Sequence, residues 1–457
     1  LPPSRIPINN KQTKLNSCFT TVSQYTSLCF IINAQNKILL MKNLTKKIIF
    51  LTIACANINA EILPLNISLQ DISLNTPSGS MSPFIRTSRS NITTLNWLEP
   101  FEDGHKIVFT TFENKWTKPK TVTSGDNWFI NWADFPSVIN LKNDKYAAHW
   151  LVKSGSSNYA YDTYISLSND KGKRWSKPIK AHNDQTHTEH GFVSLYENNG
   201  LGFIYLDGRK MANEITENKN DTGMTLRSAK IDQNLKLTST QLIDGLVCEC
   251  CLTDVTETDK GPIGIYRNRS KNEIRDIYIT RNNNGSWEDG KPLHLDNWKI
   301  AGCPVNGPSI HGNDKNITVG WFTGANNTPM IKIAKSHDYG FSFGEPIKIG
   351  VKNTVGHLSL TADKNKNTWI FWQRSMDRGA VELVLTMIEK GSNKIFETTI
   401  EETRRTPRFS FPQITSNGNN IILAWTAIND SVAADRESRS QNNKTFIKSA
   451  YFKADIY

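Results

Sequence analysis

The chain has little of what builds a helical or membrane-spanning protein. No stretch repeats its apolar residues at helical spacing, and the apolar run Ile48 to Ala56 is too short to cross a bilayer. Cysteine is scarce, seven in 457 residues, which excludes a small disulfide-dense scaffold. Asp and Glu are absent from the first 60 residues, whereas seven Lys/Arg lie there. Beyond residue 60 the balance is 47 basic against 43 acidic residues, so the formal charge of +11 falls to +4. The basic character belongs to the leading segment and does not point to nucleic acid as a partner.

That leading segment reads as a targeting sequence. The first Met is Met41, followed by Lys42, Lys46 and Lys47, the apolar run, and Asn57-Ile58-Asn59-Ala60 as a cleavage site. Residues 41–60 are therefore expected to be a signal peptide, residues 1–40 an upstream or disordered segment, and residues 61–457 one exported domain. Periplasmic or secreted localisation follows, without stable membrane insertion. Cys248, Cys250, Cys251 and Cys303 remain in that domain, an even number suited to disulfides in an oxidising compartment.

What the domain has in abundance is repetition. A strand start is followed 13 or 14 residues later by an aromatic residue on a second apolar run. The pairs are Pro83/Trp97, Pro136/Trp150, Gly191/Tyr205, Thr253/Tyr266, Pro308/Trp321, Leu358/Trp372 and Pro412/Trp425. Short alternating runs at this period predict an all-β propeller of four-stranded antiparallel blades, seven favoured and six possible. The aromatics are expected to pack between blades. The last repeat shows three strands, and residues 61–69 are expected to supply the fourth and close the ring.

A second signature marks the turn between third and fourth strands. Ser168-Asn169-Asp170-Lys171-Gly172-Lys173-Arg174-Trp175 and Ser336-His337-Asp338-Tyr339-Gly340-Phe341-Ser342-Phe343 fit Ser-x-Asp-x-Gly-x-x-aromatic, and Arg281 to Trp287 is a shortened form. The Asp can accept from turn amides, and the Gly can take a positive φ. This resembles the Asp-box, or BNR repeat, of the sialidase (neuraminidase) superfamily. The resemblance implies a β-propeller and a glycoside hydrolase releasing terminal carboxylate-bearing sugars of the sialic acid type, with no cofactor and no metal. It also implies arginines on the substrate carboxylate, an Asp acid/base, and a Tyr nucleophile assisted by a Glu.

Propeller topology sorts the candidates. Segments leading into first strands and loops between second and third strands emerge on one face, and the Asp-box turns on the other. The first face collects Asp134, Glu189 and Tyr266 as catalytic candidates, and Arg209, Arg267, Arg269 and Arg374 as ligands for a carboxylate. Arg86 lies on a first strand, on the channel wall, near where the superfamily carries its first arginine. Asp134, among apolar neighbours, is the choice for general acid; the competing reading is a turn Asp capping a strand start. The expected partner is a sialylated or other acidic glycan. A non-catalytic propeller binding anionic glycans or a protein is the alternative.

The cysteines support a further reading. A disulfide from Cys303 to one of the other three is expected, with the pairing open. A thiolate site for zinc or copper(I), joined by His187 or His190, or a redox role, is the competing account.

Overall fold

The computed structural model describes residues 61–72, 74–213, 222–377, 380–392, 394–403, 411–428 and 445–454. The expected signal peptide and upstream segment lie outside these residues. Residues 61–457 form one compact unit.

Seven antiparallel sheets run in chain order: blade 1 over 81–125, blade 2 over 137–180, blade 3 over 190–244, blade 4 over 254–292, blade 5 over 309–349, blade 6 over 354–403 and blade 7 over 413–453. This is the seven-bladed propeller the repeats predict. Blade 2 illustrates the match, with strands Ser137–Asn140, Tyr146–Lys153, Tyr161–Ser168 and Ile179–Lys180.

The core is distributed between blades. Seven apolar clusters each join two neighbouring blades, and each contains one repeat aromatic. Trp97, Trp150, Tyr205, Tyr266, Trp321, Trp372 and Trp425 are all buried on the second strand of their blades. A side chain of this size buries about 150–250 Å², roughly 4–6 kcal/mol of transfer free energy as an upper figure. Five of them, Trp97, Tyr266, Trp321, Trp372 and Trp425, also donate a hydrogen bond from the polar tip. Trp321 Nε1 donates to Asp296 (2.8 Å) and Trp425 Nε1 to Glu401 (3.0 Å), both acceptors coming from the preceding blade's side of the interface.

The ring closes differently from the expectation. Gln70–Asp71, not residues 61–69, forms the outer strand of blade 7, pairing antiparallel with Tyr451 and Ala450. Ile62–Pro64 instead adds a parallel fifth strand to blade 6 against Ile395 to Glu397. The intervening Leu65 and Ile67 explain the shift. They drop into the cluster between blades 6 and 7, so the chain crosses that interface rather than extending along one edge.

The two Ser-x-Asp-x-Gly turns are built alike. Ser168 Oγ accepts from Gly172 N–H (2.9 Å) and Ser336 Oγ from Gly340 N–H (2.8 Å); Asp170 and Asp338 accept from amides further along each turn. Both glycines have positive φ, 73° and 74°.

An axial cavity of about 560 Å³ is lined mainly by first strands. At the end where segments lead into first strands, Ala133, Phe135 and Phe411 form an apolar cluster with Phe84, Trp132, Leu252 and Val305. The lining runs from there to Asn91, Asp314, Lys364 and Gly418 in turns of the opposite face. An apolar cluster thus stands at this end of the cavity.

Candidate active site

The segment 126–136, between blades 1 and 2, and the segment leading into blade 3 bring Asp134 and Glu189 together. They meet on the hydroxyl of Tyr161, the first residue of the third strand of blade 2. Tyr161 Oη lies 2.7 Å from Asp134 Oδ2 and 2.8 Å from Glu189 Oε1. A phenol has one proton to donate. With carboxyl oxygens at both distances, one carboxyl must itself carry a proton and donate to the Tyr161 oxygen.

The surroundings favour that arrangement. Burial pushes Asp134 up to about 7 and Glu189 up to about 8, the latter also through the charges of Asp134 and Glu249. Burial, with the charges of Asp134 and Glu189, pushes Tyr161 well above its ordinary range. The two acids therefore titrate as a coupled group and share a proton around neutral pH.

Local structure fixes the roles. Asn131 Oδ1 accepts from the backbone N–H of Ala133 and Asp134, shaping the turn. Asp134 Oδ1 accepts from Phe192 N–H (2.9 Å) in the next blade, where Phe192 has φ 51° at a strand irregularity. Asn306, at the matching repeat position two residues before Pro308, does the same for His357 N–H (2.8 Å), with φ 48° at His357. The capping role is thus structural and an amide can fill it; the contact to Tyr161 is what distinguishes Asp134. Gly191 is required beside it, because a Cβ there would lie 2.0 Å from Asp134 Oδ2 and 2.7 Å from the Tyr161 ring. Asp134 is 1% exposed, whereas Glu189 is half-buried and the more open of the two carboxyls.

Phe129 lies flat on Tyr161, with ring centroids 4.0 Å apart, and Tyr159, 63% exposed, leans on Phe129. An aromatic ladder therefore leads from the surface to the buried hydroxyl.

Tyr266 does not belong to this site. It packs between blades 3 and 4 and donates to Asp244 Oδ2 (2.6 Å), so it meets neither Asp134 nor Glu189. The missed residue, Tyr161, carries a signal in topology alone: it ends the loop between second and third strands, on the face where Asp134 and Glu189 were placed.

The five arginines do not converge. Arg267 is 2% exposed and spends its donors on the carbonyls of Asn306, Arg275 and Phe322, stacked over Trp298. Arg269 pairs with Glu249 and Glu273. Arg374 pairs with Glu382 and Glu397, both at 3.2 Å. Arg86 reaches across the axial cavity to the Val255 carbonyl and to Glu257 (3.4 Å). Arg209 grips Asp207 with two nitrogens and touches Asp184 (3.1 Å). Each guanidinium is committed to partners of its own, so the five do not form a preformed carboxylate clamp among the described residues.

No protein-family model matches the chain, and no curated protein matches it in sequence. Solved structures do resemble it. The NanB sialidase of Streptococcus pneumoniae is 11% identical, with 80% of this chain and 83% of that one covered at a TM-score of 0.44. An α-L-arabinanase of Penicillium chrysogenum is 10% identical over 85% of this chain and 99% of that one, TM-score 0.47. The GH93 α-L-arabinofuranosidase of Fusarium graminearum is 9% identical over 84% and 97%, TM-score 0.47. At these values the likeness assigns neither substrate nor chemistry.

Two further groups adjoin the site. His182 and His190 stack at 3.7 Å amid Asp162, Asp184 and Asp207. Lys180 and Arg209 neutralise those carboxylates, so the group reads as an ion-pair network and not an open cation site. His190 is therefore engaged there and does not join the cysteines. Cys303 is bonded to Cys250, one of the pairings left open by sequence, while Cys248 and Cys251 are buried thiols.

Proposed function

We propose that the chain is an exported glycoside hydrolase working through Tyr161. The observation that carries this reading is the single phenol hydroxyl held between two carboxyls that must share a proton. Tyr161 is itself fully buried beneath Phe129, so the reading requires Phe129 to move aside; Tyr161 Oη then attacks the anomeric carbon as the bond to the leaving oxygen breaks. Its own proton passes to Asp134, because a phenol pushed so far up cannot ionise in advance. Glu189 delivers its proton to the departing oxygen. Water then attacks the glycosyl–tyrosine bond, giving a proton to Glu189, and Tyr161 recovers its proton from Asp134. The two-carboxyl logic of retaining glycosidases is kept, with tyrosine as the nucleophile.

The finer reading, a terminal acidic sugar, rests on Arg209. Gly208 N–H donates to the Glu189 carbonyl (2.8 Å), which sets Arg209 in the loop beside the acid, 23% of its side chain exposed. A substrate carboxylate would have to displace Asp184 from that guanidinium. Tyr159 and Phe129 offer the apolar faces on which a pyranose ring stacks. The test is hydrolysis of a panel of aryl glycosides, neutral and acidic, by the wild type and Tyr161→Phe. Turnover of at least one sugar that is lost in the variant supports the proposal; equal turnover by both removes it.

A further inference from the structure

The cysteine group has a geometry that the glycosidase reading does not use. Cys248-Glu249-Cys250-Cys251 leads into blade 4, and Cys303 lies in the segment leading into blade 5. Their four sulfurs lie within 4.8 Å of one another, in two layers. The Cys250–Cys303 disulfide is outermost, with Cys303 exposed. Beneath it sit the two thiols of a Cys-x-x-Cys pair. Cys248 Sγ is 3.3 Å from Cys251 Sγ and 3.7 Å from Cys303 Sγ. A reduced pair therefore touches an oxidised pair inside one fold.

We propose that these four cysteines form a thiol–disulfide relay that moves one disulfide between the buried Cys248/Cys251 pair and the surface Cys250/Cys303 pair. Cys248 thiolate attacks Cys303 Sγ; the Cys250–Cys303 bond breaks and Cys250 leaves as a thiolate. Cys251, giving up its proton, attacks Cys248 Sγ in the new Cys248–Cys303 bond, and Cys303 leaves as a thiolate that takes up that proton. Two electrons pass from the inner pair to the outer pair, and the internal step needs no other reagent. The outer pair is then a dithiol at the surface, able to reduce a disulfide brought by a protein or a small thiol compound. Cys303 is the atom such a partner meets.

The side chains around Cys248 suit an attacking thiolate. Arg275, 3% exposed, donates from Nη1 to Cys248 Sγ (3.2 Å) and is held by Glu249 (2.6 Å) and Glu273 (2.9 Å). The Cys251 thiol and the charges of Arg267 and Arg275 hold Cys248 below the ordinary thiol range, while burial pushes Cys251 up. The same guanidinium argues against the competing occupant. A zinc or copper(I) ion bound by all four sulfurs would have to sit beside a cation already bonded to one of its ligands, and would need the outer disulfide reduced.

The test uses the whole folded chain equilibrated in glutathione buffers of graded ratio, quenched with acid, alkylated, and mapped for disulfides by mass spectrometry. The relay predicts that chains holding one disulfide divide between Cys250–Cys303 and Cys248–Cys251 linkages. It also predicts that Cys251→Ser, with an unchanged circular dichroism spectrum, halts the exchange after its first step and accumulates the Cys248–Cys303 linkage. The wild-type mapping stands if that variant does not fold. Cys250–Cys303 as the sole linkage at every ratio overturns the relay. So does an anaerobically reduced chain that keeps one zinc or copper(I) per chain against a chelator and forms no disulfide in air.

Discussion

Replacing Glu189 by Gln should stabilise the protein above neutral pH while removing its activity. Glu189 Oε1 faces the Tyr161 oxygen, and an amide can donate there as the protonated acid does, so the packing is kept. The ionised acid is what the site resists. Its carboxyl is raised from 4.5 to about 8, chiefly by burial. A carboxyl raised on folding contributes stability that is fully present below its unfolded value and is lost as pH climbs through its folded value. At about 1.4 kcal/mol per tenfold change in proton affinity, the loss has a ceiling of about 5 kcal/mol between pH 4.5 and 8. Glu189 is half-buried, and water at its open edge recovers part of this, leaving about 2–3 kcal/mol. Urea unfolding of both proteins at pH 4 and pH 9 measures it. The midpoints should nearly coincide at pH 4, with the variant more stable at pH 9. A variant no more stable than wild type at pH 9 would refute the claim that Glu189 holds its proton near neutrality.

Three other outcomes follow from the same geometry. Tyr266→Phe should leave hydrolysis unchanged and cost about 1 kcal/mol in unfolding free energy, because it strips a hydrogen bond from the half-buried carboxylate of Asp244. Gly191→Ala should abolish hydrolysis and cost about 1–3 kcal/mol, since the new methyl must push Asp134 and Tyr161 apart. Arg267→Ala should lower stability by about 3 kcal/mol or more, by leaving buried carbonyls without donors, and a thermal melt will show it.

The fold was legible because its signal is redundant. Seven aromatics at one spacing each find one interblade cluster, so the loss of any one would not have hidden the ring. The closing strand was placed wrongly because edge pairing leaves no strong pattern in two residues, whereas Leu65 and Ile67 respond to a core that only the assembled blades create. The site was half legible. Asp134 and Glu189 could be placed on one face from topology, but Tyr266 drew attention through its neighbour Arg267, although its repeat position already marks it as an interblade aromatic. The arginines failed for a different reason. Sequence gives their type and face, and says nothing of whether Glu249, Glu273, Glu382 or Asp207 already occupies the guanidinium. Arg267 and Arg269 stand two residues apart, yet one is sealed among carbonyls and the other is paired at the surface.

The account turns on Tyr161 as the nucleophile, and its most direct test is covalent. Glycosyl fluorides carrying a second fluorine beside the anomeric carbon trap a glycosyl–enzyme by slowing its hydrolysis. Incubation of the wild-type chain with the fluorinated form of the sugar it turns over, followed by peptide mapping, should find one sugar attached at Tyr161. A sugar attached to Glu189, Asp134 or any other side chain would contradict the account.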